Sequence, residues 1–188
     1  MGRTRDVSKI LTSNTSILSL ASASATYATK ATTGLTLINN TSFTGQSTVS
    51  VDNVFSATYT NYRILTIHSQ GNNQAFLFRL RVGGVDASGS NYNRQQVRGI
   101  ASNASSSQDA SSTFFVLSSG DSTFGVGVTD IFRPFETERT KFISIGTIIG
   151  NITIFGADHS LSTSYDGVTF FGNLGTITGT IRVYGYRN

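Results

Sequence analysis

Hydrophobic positions in this chain recur every second residue in short bursts, with no stretch holding a helical period. The clearest burst is Ala75–Val82, where Phe76, Phe78, Leu80 and Val82 fall on one side and Leu77, Arg79 and Arg81 on the other. A period of two with one polar face marks a half-buried strand. Tyr62–Ser69 is apolar on both faces near its centre, which predicts a central strand. Further strands are predicted at Leu35–Asn39, Ser47–Val51, Phe114–Ser118, Thr123–Thr129, Lys141–Gly146, Asn151–Phe155 and Val168–Phe171. The last burst, Thr176–Arg187, puts Ile177, Ile181 and Val183 on a face with Gly179 and Gly185, opposite Thr178, Thr180, Arg182, Tyr184 and Tyr186. Glycines inside a strand suggest a bulge or the close approach of another backbone.

Gly, Asn, Ser and Asp separate these runs, the pattern of an all-β fold. About ten strands over roughly 150 residues predict an antiparallel β-sandwich of jelly-roll type, with an up-and-down barrel as the structural alternative. Val85–Ala110, rich in Gly, Ser, Asn and Gln, reads as a projecting loop or a flexible edge, with Ser102–Ser112 as its disordered tip. Asp130–Lys141 is the one densely charged passage. Its Pro134, the only proline, predicts a corner between strands, with Glu136 and Glu138 near Arg139 and Lys141.

The chain before Gly34 is different. Residues 1–30 hold Arg3, Arg5, Lys9 and Lys30 against Asp6, while the rest holds 10 basic and 9 acidic residues. The net charge of +4 is therefore largely an N-terminal property. Ile10, Leu11, Ile17, Leu18 and Leu20 are too sparse among Ser and Thr to form a core, and Ser/Thr density opposes a helix. Two parts follow: an extended or partly helical basic arm over 1–33, ordered only against something else, and a β-sandwich domain over 34–188.

Composition narrows the chemistry. Hydrophobic residues make up 38% and charged residues 13%, against about 45–50% and about 25% in ordinary domains, with uncharged polar residues filling the gap. No cysteine is present, which excludes disulfides, thiolate catalysis and Cys-ligated metals. His68 and His159 are the only histidines, so no metal site and no cofactor are expected. His68 reads as a strand-end or interface residue, and Asp158-His159-Ser160 as a solvated turn rather than part of a catalytic set. The acids fall mostly in turns, where Asp is expected on backbone grounds, so no catalytic residues are assigned. Met1–Asp6 lacks the apolar core of a secretory signal, and no run is long enough to span a membrane. The sequence pI of 9.6 invites a nucleic-acid reading through Arg79, Arg81, Arg94 and Arg98. Near-neutrality beyond residue 30 argues against it, and Arg79 and Arg81 read as solvated or partner-facing.

Three stretches carry a resemblance: Asp6–Lys30 (DVSKILTSNTSILSLASASATYATK), the passage from Gly34 to Asn61, and Gly175–Asn188 (GTITGTIRVYGYRN). In texture they resemble small virion structural proteins of tailed bacteriophages, particularly aquatic and cyanobacterial ones. The resemblance implies a non-enzymatic β-sandwich acting as a homotrimer on the particle surface, with the major capsid protein or another virion protein as partner. No long fibrous repeat or heptad is present, which favours a decorating or cement role over a whole tail fibre. The arm would then attach through Arg3, Arg5 and Lys9 as polar contacts and Ile10, Leu11, Ile17, Leu18 and Leu20 as apolar pegs. The alternative is a tail-fibre or receptor-binding module, with Tyr92, Tyr165, Tyr184, Tyr186 and Val85–Ala110 gripping host-surface glycans.

Overall fold

The computed structural model describes residues 34–70, 75–118, 124–148 and 151–187. The arm, and with it the expected contacts of Arg3, Arg5, Lys9, Ile10, Leu11, Ile17, Leu18 and Leu20, lies outside the described residues. The described strands are β1 (Leu35–Gln46), β2 (Thr48–Val51), β3 (Asn61–Gln70), β4 (Phe76–Val82), β5 (Val85–Asp86), β6 (Tyr92–Ile100) and β7 (Asn103–Ser112). They continue with β8 (Phe115–Ser118), β9 (Gly125–Phe132), β10 (Arg139–Ile148), β11 (Asn151–Ser162), β12 (Gly167–Gly172) and β13 (Ile177–Tyr186).

Two antiparallel sheets pack face to face as a β-sandwich. The larger runs β1-β13-β3-β9-β10-β11-β6-β7; the smaller runs β2-β12-β4-β5, with β8 pairing β4 beside β5. The sheets thus hold eight and five strands, where the simplest jelly roll divides eight strands between two sheets.

Between the sheets the core is aromatic. Phe78 from β4 meets Phe115 at 5.1 Å and Phe142 at 5.3 Å between ring centres, and Phe115 also meets Phe155 at 5.9 Å. Edge-to-face and stacked rings at these separations add about 0.5–1.5 kcal/mol per pair beyond area burial. Because side chains alternate along a strand, placing Phe142 and Phe155 inside sends their odd-even neighbours Ile143 and Ile154 outside.

Beside the rings the interior turns polar and tight. The hydroxyls of Thr129 and Ser144 lie 2.7 Å apart, and Ser144 donates to the Leu117 carbonyl of β8 at 3.0 Å. The β8 backbone approaches β10 so closely that a Cβ on Gly146 would sit 2.8 Å from the Ser118 Cβ and 3.2 Å from the Leu117 carbonyl oxygen. Only small or short polar residues fit there, so Gly127, Ser144 and Gly146 face inward and the branched aliphatics between them face out.

Several expectations change. Val85–Ala110, expected as a projecting loop or a flexible edge, contains most of the β6–β7 hairpin at the edge of the larger sheet, and β7 occupies the stretch expected to be disordered. Their polar residues oppose strand propensity, but the ladder to β11 supplies backbone partners, and β7 is an edge strand with nothing to bury. β11 continues past Phe155, so Asp158-His159-Ser160 lies in a strand and His159 is fully buried. In the charged corner Glu138 pairs with Arg133, Arg139 reaches Asp158, and Asp130 belongs to β9.

Candidate functional site

The solvent face of the larger sheet carries the most unusual surface. The register places Leu65 (β3), Val128 (β9), Ile145 (β10), Ile154 (β11) and Val97 (β6) side by side, one unbroken aliphatic row across five strands. The next row holds Ile67, Val126, Thr147, Ile152 and Gly99 in the same order. On the other flank Ile143 stands 51% exposed opposite Gly156, and Ile145 and Ile154 are each 44% exposed. Strands about 4.8 Å apart and residues about 6.8 Å apart along one face give an area of about 19 by 14 Å between Cα positions, or roughly 400–500 Å² with side-chain reach. Contiguous apolar patches of about 300–600 Å² are often functional in soluble proteins.

The rim is polar, and on β3 and β9 its charges are paired. Arg63 grips Asp130 through two hydrogen bonds of 2.7 Å, and the Tyr186 hydroxyl donates to the same carboxylate at 2.6 Å. Burial alone would raise the Asp130 carboxyl, but the Arg63 fork and the Tyr186 hydroxyl hold it below the ordinary carboxylate range. Tyr186 is pushed up to about 12 by burial and then by Asp130. Next to the patch, Gly156 floors an open cleft of about 320 Å³ walled by Asn93, Gln95, Gln108, Lys141 and Asp158. A Cβ on Gly156 would meet nothing within 4 Å, so the missing side chain leaves the cleft room.

The residues singled out from the sequence are distributed differently. Arg79 and Arg81 lie on the outer face of the smaller sheet, engaged within their own chain. Arg79 donates to the Thr113 carbonyl at 2.9 Å and lies 4.6 Å from the Phe171 ring centre. Arg81 binds Asp52 at 2.7 Å and Thr169 at 2.6 Å, and also reaches Asp86 and the Gly84 carbonyl. Burial works against its charge, yet these acids raise its pKa further, so its charge is spent internally. Tyr92 and Tyr165 are each 1% exposed, which removes them as stacking platforms for a sugar. Tyr92 instead clamps β4 by accepting from the Leu80 amide and donating to the Ala87 carbonyl. Tyr184 and Tyr186 are half-buried on the outer face beside Arg63.

His68 is internal rather than at an interface, stacked 4.1 Å from Phe76 with Nε2 2.9 Å from the Ser118 hydroxyl. Among the described residues no cluster of three or more His, Cys, Asp or Glu is placed to hold a metal ion. No family model matches the chain, and no curated protein matches it.

His159 yields a pH prediction. Its Nδ1 lies 3.0 Å from the Tyr165 hydroxyl, and burial lowers its pKa despite the neighbouring Asp158. In the unfolded chain a histidine takes up its proton near pH ~6.5. Below that pH the unfolded state binds a proton that the folded state refuses, so stability falls as pH falls. Urea midpoints at pH 7.5 and pH 5 are expected to differ more in the native protein than in His159→Phe. Equal differences would contradict a histidine kept neutral by the fold.

The aliphatic row escaped the sequence reading because Lys141–Gly146 and Asn151–Phe155 carry apolar residues at both parities. A signal was present in the Ser144-Ile145-Gly146 and Gly125-Val126-Gly127-Val128 patterns, where tiny residues alternate with branched ones.

Proposed function

We propose that the protein is a non-enzymatic structural component of a virus particle, attached to the capsid surface through the arm 1–33 and stabilising or decorating the shell. The observation that carries this reading is the five-strand aliphatic row on an exposed sheet face, which suits the lasting self-association of a structural protein. The arm supplies the means of attachment to the shell. Arg3, Arg5 and Lys9 suit an acidic shell surface, and Ile10, Leu11, Ile17, Leu18 and Leu20 suit apolar sockets on it. Several arms on one oligomer would multiply weak contacts through effective concentration. The partners are the major capsid protein or another virion protein, and further copies of this chain. No nucleic acid, membrane or cofactor has a part in this role.

Quantitative mass spectrometry and antibody labelling of purified particles test it. A high copy number on the head surface is expected, with attachment lost in a full-length variant carrying glutamate in place of Arg3, Arg5 and Lys9. Particles free of the chain, or a variant that attaches normally, would overturn it.

The second reading, a tail-fibre or receptor-binding module, is favoured by the cleft over Gly156. Its amides, carboxylate and ammonium match the hydroxyl groups of a host-surface glycan. On that reading glycan-array binding survives the arm substitutions and is lost in Asp158→Ala.

A further inference from the structure

We infer that the aliphatic outer face of the larger sheet is the docking site for a second copy of this chain, packed sheet against sheet about a two-fold axis near Ile145. This gives the self-association in the proposed function a defined surface, and it rests on that reading for self-association alone.

The chemistry of the face restricts its occupant. From Leu65 to Val97 the central row offers no charge and no side-chain hydrogen-bonding group, so a glycan or a strongly charged macromolecule finds nothing to hold. The first charge in that row is Arg182, beyond Leu65 on β13. In the rows beyond, Arg63 is neutralised by Asp130, and Lys141 stands four residues from Ile145 on β10, outside the aliphatic centre. A second copy therefore meets no charge within that centre. The surface that fits is another flat aliphatic sheet face, and the chain possesses one.

Geometry and size agree. Two sheets stack about 10 Å apart with strands inclined by about 30°. Ile145 is the middle of the five residues, so an axis there sets Leu65 of one copy over Val97 of the other and Val128 over Ile154, each contact made twice. The Arg182 end of one row then meets the Ser106 end of the other, a guanidinium over a hydroxyl. Roughly 400–500 Å² of apolar centre, ringed by Thr147, Thr180 and Ser106, approaches the ~800 Å² per partner of a standard stable interface. A face that pairs with itself closes at two copies, so the trimer that the resemblance implies would need a different surface.

Light-scattering mass of the full chain at tens of micromolar tests the inference, and a particle of twice 20.1 kDa is expected. Ile145→Lys should yield monomers, raising the dissociation constant by more than about 100-fold, because each interface would bury two like charges. The side chain is 44% exposed in one copy, so circular dichroism and the unfolding transition of dilute protein should stay native. Mixing Ile145→Lys with Ile145→Glu should restore dimers, as expected only if the position faces itself. A monomeric native chain on the order of 100 μM, an oligomer that Ile145→Lys leaves intact, or charge variants that stay apart on mixing would each overturn it. Solution mass and particle labelling are separate readouts, so failure of the dimer and failure of the virion role are distinguishable.

Discussion

Gly179→Ala is expected to cost about 3 kcal/mol or more of unfolding free energy, a large share of the ~5–15 kcal/mol typical of a folded domain. A Cβ at that position would lie 2.1 Å from the Ile67 carbonyl oxygen and 2.8 Å from the His68 Cα. Both atoms are backbone of β3, which pairs with β13 at this point, so neither can swing aside without breaking the ladder. The backbone at Gly179 also has φ +157°, which side-chain-bearing residues rarely adopt. Gly185→Ala supplies the contrast. There the added atom meets Tyr59 Cγ at 2.4 Å, so the half-buried side chain must swing about its Cα–Cβ bond, a smaller adjustment than moving the backbone of a paired strand. Urea midpoints should show a much larger loss at 179 than at 185. Equal losses would contradict the β3/β13 register.

Phe78→Ala should be nearly as damaging. Its ring is fully buried and touches Phe115, Phe142 and Phe170, so it joins β4, β8, β10 and β12 across the two sheets. Removing a buried phenyl from such a site costs about 3–5 kcal/mol, because the neighbouring rings cannot collapse into the void. The expected fall in melting temperature is on the order of 10 °C. Phe135→Ala, at the exposed charged corner, should shift the melt by a small fraction of that. A Phe78→Ala protein melting with the Phe135→Ala control would mean that the aromatic cluster is not the core.

Much of this architecture could be read in the sequence, and the failures share one cause. Strands such as Phe76–Val82 and Ile177–Tyr186 announce themselves because one parity carries most of their phenylalanine and aliphatic residues, and the close backbone approach at Gly179 was legible as a glycine within a strand. Ile145 and Ile154 were not legible as surface residues. Hydrophobicity places them inside; what excludes them is the backbone of β8, some 30 residues earlier in the chain, lying against Gly127 and Gly146. The same non-local effect accounts for Arg81. Its alternation set it apart from the core-facing rings, but its side chain is only 12% exposed, because Asp52 and Asp86 reach it through β-pairing and the turn after β4. Tyr92 and Tyr165 were misjudged because flanking polar residues suggested exposure, whereas their hydroxyls find partners inside the fold.

The sidedness of β10 underlies both the core and the docking face, and the cysteine-free sequence allows it to be measured directly. Single cysteines placed by Ser144→Cys and Ile145→Cys in the full chain would be labelled with a thiol reagent in dilute native solution. Position 145 is expected to react like an open thiol, slowing as the protein is concentrated, while position 144 stays protected until the protein unfolds. Equal rates, or faster labelling at 144, would contradict a larger sheet that turns its aliphatic face to the solvent.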